Sequence, residues 1–215
     1  MKLISTRTSQ KISFYKSIFY PIPIKGGLWI FDRIIPFSSK TIQKMLKMDF
    51  NAIAFSIFRH FDKEFEIKDT DCVNLIKDTF TFPIRVHSIS SRLQVCELFH
   101  GPSCSFKDFG ICFLASISSY FLKTRNLNKS QKKITNTMHI LTATSGDTGS
   151  AMVQAFYKKT NISCSVLFPK DGISKIQRLQ MVTQPSIHAY EIEGTFDDCQ
   201  SIIKKAFLDK DLPTL

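Results

Sequence analysis

Two stretches of the 215-residue sequence combine residue types that do chemistry with a setting in which to do it. The first is Glu97-Leu98-Phe99-His100-Gly101-Pro102-Ser103-Cys104-Ser105-Phe106-Lys107-Asp108-Phe109-Gly110, a strand turning through Gly-Pro into a helix whose first turn carries a lysine. The positive end of the helix dipole and enclosure by Phe106 and Phe109 both disfavour the ammonium form of Lys107. A free amine in that setting is what Schiff-base chemistry with a carbonyl compound requires. The same spacing also suits a lysine that only snorkels to the surface. The second stretch is Thr142-Ala143-Thr144-Ser145-Gly146-Asp147-Thr148-Gly149, a strand emptying through small hydroxyl residues into a helix. Gly146 and Gly149 would let backbone approach a ligand, the first amides of the helix would face an anion, and Ser145 and Thr148 would add hydroxyl donors. A small carboxylate or phosphate suits such a loop, and so does a plain strand-to-helix turn with a Ser or Asp cap. The loop has neither the Gly-x-Gly of a dinucleotide fingerprint nor the Gly-Lys-Ser/Thr of a Walker loop.

The elements that must position these residues follow from pattern. Beyond Pro83 the sequence alternates strands and helices, which predicts an α/β arrangement with a parallel sheet and crossover helices. The strands are expected at Leu93 to Phe99, Met138 to Thr142, Ser163 to Phe168 and Ile187 to Ile192. Helices are expected from Lys107 to Leu122, from the Ser145 to Gly149 turn to Tyr157, from a Ser174 cap through Met181, and from Thr195, with Asp198 three residues on as a capping-box variant. Both chemical stretches then fall outside the carboxyl ends of strands, where such sheets bind ligands. The first ninety residues read differently. Pro21, Pro23, Gly26, Gly27 and Pro36 punctuate short strands and turns between Lys2 and Phe37. Helices follow over Lys40 to Met48 behind a Ser38 or Ser39 cap, through Ala52 to Phe58, and from Asp69 or Asp71 through Cys72, Leu75 and Ile76. The expected organisation is an α+β region over 1–90 and an α/β domain over 91–215.

Charge and cysteines exclude other classes. The formal charge of +11 invites a nucleic-acid reading. It comes, however, from 22 Lys and only 7 Arg, and 26 Ile and 20 Phe stand beside 8 Ala, which fits compositional drift better than selection for a phosphate-binding face. The basic stretch Lys123 to Lys133 has no aromatic residue to stack on a base. No nucleic-acid partner is expected. Six cysteines never form Cys-x-x-Cys, so no zinc site is expected and the thiols should stay free in a reducing cytosol. The N-terminus has no continuous apolar h-region, and Phe109 to Leu122 is too short and too serine-rich to span a bilayer. His100 suits a hydrogen-bonded structural role, Cys104 a small buried filler, and Trp29 packing under the N-terminal part.

Taken together, these residues resemble one family. Glu97 to Gly110 resembles the lysine segment of threonine synthases, and Leu141 to Gly149 with Ala155-Phe156-Tyr157 resembles their Ser-Gly-Asp-Thr-Gly loop and helix. Phe168-Pro169-Lys170 with Ile173-Ser174-Lys175-Ile176-Gln177, and Gly194 to Gln200, match two further family segments in order, while Ser5-Thr6-Arg7, Gly26-Gly27-Leu28 and Met45-Leu46 fit more loosely. The resemblance implies a pyridoxal-phosphate enzyme of the tryptophan-synthase-β-like fold (fold type II). By the same resemblance, Lys107 binds the cofactor as a Schiff base and then shuttles protons, Ser145, Gly146, Thr148 and Gly149 bind the substrate carboxylate, and Asp147 lies near the cofactor's phenolic oxygen. The implied reaction converts O-phospho-L-homoserine and water to L-threonine and phosphate. Ser103, Cys104 and Ser105 replace the usual Thr-Leu-Ala, and Gly172 replaces a common lysine. Family members continue beyond this length, and their glycine-rich phosphate loop and pyridine-nitrogen partner have no counterpart in this sequence. The 215 residues are therefore expected to be the N-terminal portion of such an enzyme or, alternatively, a truncated or split non-catalytic remnant that needs a separate C-terminal half for activity.

Overall fold

The computed structural model describes residues 2–61, 67–125, 137–184 and 186–209, so the basic stretch lies largely outside the described residues. Two compact units meet in sequence at Asp78/Thr79.

In the first unit, β1 (Lys2–Ser5) lies between β2 (Lys11–Ser13) and β3 (Trp29–Phe31), antiparallel to both. Strand alternation turns Leu3 and Ser5 inward. Thr6 links the first and third strands, because its N–H donates to Leu28 O and its Oγ1 accepts from Leu28 N, both at 2.9 Å. Gly27 sits at φ +89, and a Cβ there would lie 2.6 Å from Thr6 Oγ1, so only glycine admits this approach. The Trp29 indole, half-buried, donates to Tyr20 O at 2.8 Å. Between β2 and β3 lies α1 (Phe14–Phe19), capped by Ser13, in a stretch expected to hold only strands and turns. Six residues are too few for a helical period to show in sequence. α2 (Ser39–Met45) starts behind Ser38 as expected. α3 (Phe50–Phe61) and α4 (Asp69–Thr79) complete the unit's helices, and α4 buries Cys72, Leu75 and Ile76 at the expected i, i+3, i+4 spacing.

The second unit begins with a hairpin, β4 (Arg85–Ser90) and β5 (Leu93–Glu97), paired antiparallel. The sequence reading placed Leu93 to Phe99 in the parallel sheet. It pairs instead with β4, a strand the sequence reading had not found, because a two-residue connection makes that local pairing cheap in loop entropy. α5 (Asp108–Arg125) leads to a parallel three-stranded sheet of order β6-β7-β8, formed by β6 (Met138–Ala143), β7 (Ile162–Pro169) and β8 (Ile187–Ile192). The crossovers are α6 (Asp147–Phe156) and α7 (Lys175–Val182), and α8 (Phe196–Leu208) follows β8. Central β7 is covered on both faces, with Cys164, Val166 and Phe168 alternating with buried Ser165 and Leu167. Full burial of a side chain the size of Phe156 or Phe168 contributes about 1.5–3 kcal/mol of transfer free energy. α6 packs against both α5 and α7. Among the described residues no helix is long and apolar enough to cross a membrane.

Candidate functional site

The lysine segment is a tight loop organised by Asp108. This carboxylate is fully buried and accepts the Ser103 N–H at 3.0 Å and the Ser103 Oγ–H at 2.7 Å. A buried carboxylate needs such partners to offset its lost hydration. Gly101 lies directly over it, since a Cβ there would come within 2.3 Å of Asp108 Oδ2. The chain then turns through Cys104 at φ +58, whose N–H reaches Gly101 O at 3.0 Å. Ser103 supplies the hydroxyl that the usual threonine would. Sequence reasoning passed over Asp108, because its partners are a backbone fold-back and a serine rather than a chemical motif. Cys104 is exposed, contrary to its expected role as a buried filler, because the left-handed turn points it outward.

Lys107 stands immediately before α5 rather than inside its first turn, its N–H donating to Ser105 Oγ at 3.3 Å and its carbonyl accepting from Ile111 N at 3.0 Å. The side chain is half-buried, with Nζ 5.9 Å from the centre of the Phe106 ring, close enough for a cation–π contact. The expected enclosure by two aromatics is not seen. Phe106 is 61% exposed, and Phe109 packs on Phe80 and Phe82 at 6.1 and 5.0 Å. Upstream, His100 Nε2 lies 2.6 Å from Glu97 Oε2, and His87 Nε2 lies 3.4 Å from the same oxygen. The hydrogen bond to His100, with the charges of both histidines, holds the Glu97 carboxyl below its ordinary value of 4.5.

The second segment is set by Thr144. This side chain is buried, and its Oγ1 accepts the amide hydrogens of Gly146 and Gly149, each at 2.9 Å. Gly146, the N-cap of α6, has no side chain to cap with, and Thr144 takes over that task from the end of β6. The N–H groups of Asp147 and Thr148, at the first two helical positions, then have no intrahelical acceptor and can face an anion, with Ser145 exposed and Thr148 half-buried beside them. Both glycines are also required by packing. A Cβ on Gly149 would lie 2.3 Å from Met181 Sδ and 2.6 Å from Thr144 Cγ2, and one on Gly146 would meet the Gln177 side chain at 2.3 Å. Asp147 is exposed, and its Oδ1 accepts a hydrogen bond from Gln177 Nε2 at 2.8 Å. Gln177 had no role in the sequence reading, since its partner lies thirty residues away. What relates the lysine loop to the Ser145 to Gly149 loop is the packing of α5 on α6.

A parallel sheet with crossover helices, a lysine ahead of one helix and a Ser-Gly-Asp-Thr-Gly turn opening the next make this an α/β chain with two candidate ligand-facing loops. Residues 2–80 match the family described as "Threonine synthase N terminus". Over 99% of its length the chain is 36% identical to threonine synthase of Buchnera aphidicola subsp. Baizongia pistaciae, covering 48% of that protein. It superposes on the crystal structure of threonine synthase from Escherichia coli with a TM-score of 0.87 at 33% identity, covering 99% of this chain and 47% of the other. With the PLP-bound threonine synthase from Brucella melitensis the TM-score is 0.83 at 30% identity, covering 98% and 45%. By sequence and by fold the chain is similar to the N-terminal part of threonine synthases. It spans about half the length of these relatives.

Proposed function

We propose that this chain supplies the lysine-bearing part of a threonine synthase active site, for the conversion of O-phospho-L-homoserine and water to L-threonine and phosphate in the cytoplasm. The observation that carries the reading is the pairing, on two adjacent helices, of a half-buried primary amine with a strand-to-helix turn whose first two amides are open to an anion. The residues present fit pyridoxal phosphate in part. A half-buried amine beside an aromatic ring suits an aldehyde. When bound, that cofactor supplies an electron sink for proton removal next to the amino group. In this reading Lys107 binds it and later moves protons at the substrate carbons. Ser145, Gly146, Thr148 and Gly149 hold the substrate carboxylate, with hydroxyls and the amides of Asp147 and Thr148 as donors. Asp147 faces the cofactor's phenolic oxygen. The region expected over 1–90 is the N-terminal one and that over 91–215 the lysine side of the cofactor domain, with β4 falling to the second because the units meet at Asp78/Thr79, and a separate C-terminal half completes the site.

The test is absorbance of the purified chain with pyridoxal phosphate, with and without such a half. A visible band lost in Lys107→Ala is expected, and its absence in the wild type under both conditions sinks the reading. Threonine formation from O-phospho-L-homoserine once a C-terminal half is added supports the reading, and none with that half present counts against it.

A further inference from the structure

We propose that Gln177 is a positioning residue, its carboxamide holding the Asp147 carboxylate in place over the turn that opens α6. Gln177 is fixed at both ends. Its Oε1 accepts the Ser174 N–H at 3.0 Å in the capping box of α7, which leaves Nε2 as the end that meets Asp147 Oδ1 at 2.8 Å. A carboxylate accepts and cannot donate, so this orientation of the amide is the one the network demands. The carboxamide also lies flat against Gly146, where an added Cβ would come within 2.3 to 2.6 Å of its Nε2, Cδ and Oε1. One turn further on, Met181 fills the space over Gly149. One helix face, at i and i+4, is thus keyed to both glycines of the turn and to the acid between them. The rim position of Asp147 gives it no burial to fix its rotamer, so the hydrogen bond from Gln177 is what orients it.

The functional part of this inference rests on the reading of Asp147 given above, and its test separates the two. A glutamate caps α7 as well as glutamine does, so Gln177→Glu preserves the helix start while setting two carboxylates against each other. Amide hydrogen exchange of the 215-residue chain should then be about tenfold faster at Gly146, Gly149 and Ser150, the loss expected for one charge-assisted hydrogen bond. Exchange along Lys175–Val182 should be unchanged. Adding Asp147→Asn reverses donor and acceptor, and the double variant should exchange as the wild type does. Unchanged exchange in Gln177→Glu, or no recovery in the double variant, overturns the positioning role. In chain that binds pyridoxal phosphate, the pH dependence of the visible band should shift in Gln177→Glu and return in the double variant. A wild type that shows no band refutes the cofactor reading and leaves the exchange result standing.

Discussion

Thr144 Oγ1 accepts the amide hydrogen of Gly149 at 2.9 Å, so α6 is capped from the end of β6, five residues earlier in the chain. One hydroxyl thereby ties a strand end, a helix start and the turn between them. Thr144→Val keeps the shape and leaves the Gly146 and Gly149 N–H groups buried without an acceptor. Each such group costs about 1–3 kcal/mol. Urea denaturation should show a loss in that range or above for Thr144→Val, with Thr144→Ser retaining most of the stability. Equal midpoints for the valine variant and the wild type would contradict the capping role.

Two glycines should respond in opposite directions to alanine. At Gly149 the new methyl meets Met181, Thr144 and Val166 within 3.0 Å in a packed interior, and overpacking of that kind costs about 1–3 kcal/mol. At Gly110, in the first turn of α5, it meets nothing, and removing helix-interior glycine gains roughly 0.5–1 kcal/mol. Thermal unfolding of both variants checks the signs.

Glu97 makes the hairpin end next to the lysine loop sensitive to acid. Its carboxyl is held below 4.5, first by the hydrogen bond to His100, so the folded state binds this proton less readily than the unfolded state. The stability it contributes is complete above 4.5 and is lost as the pH falls through the lowered folded value. The gap in denaturation midpoint between wild type and Glu97→Gln should be largest near neutrality and shrink with acidification. A gap independent of pH would argue against the pairing.

The thiols should divide by exposure. Burial pushes the Cys164 thiol up to about 12 and, with the charge of Asp108, Cys112 up to about 11, while Cys96 and Cys104 are exposed. Thiolate is the reactive form. Mass spectrometry after brief iodoacetamide treatment of the native chain should find label on Cys96 and Cys104 before Cys164. Early modification of Cys164 would mean that β7 opens far more readily than its burial suggests.

Much of the site was legible because its signals are local. The Ser174 cap and the Thr195–Asp198 capping box both form as expected within four residues of sequence, and Gln177 completes a second box behind Ser174. Lys107 and Ser145 to Gly149 announced themselves by type and order, since strand-to-helix junctions are built from consecutive residues. The strands β6, β7 and β8 followed from apolar runs between turn residues. α1 and β4 were missed, one too short for a period and the other, in Arg85–Ser90, exposed along its whole length with no buried face to pattern.

What the sequence by itself determined is the alternation of elements, the helix starts and the identity of the residues able to do chemistry, all governed by interactions spanning a few positions. Tertiary structure alone decided that β5 pairs backward with β4, that Phe109 turns from Lys107 toward Phe80 and Phe82, that Gly149 makes room for Met181, and that Gln177 holds Asp147. Most of these pair residues twenty-seven to thirty-two positions apart, where the partner is selected by packing of whole elements, and no short-range propensity records which side chain will arrive there.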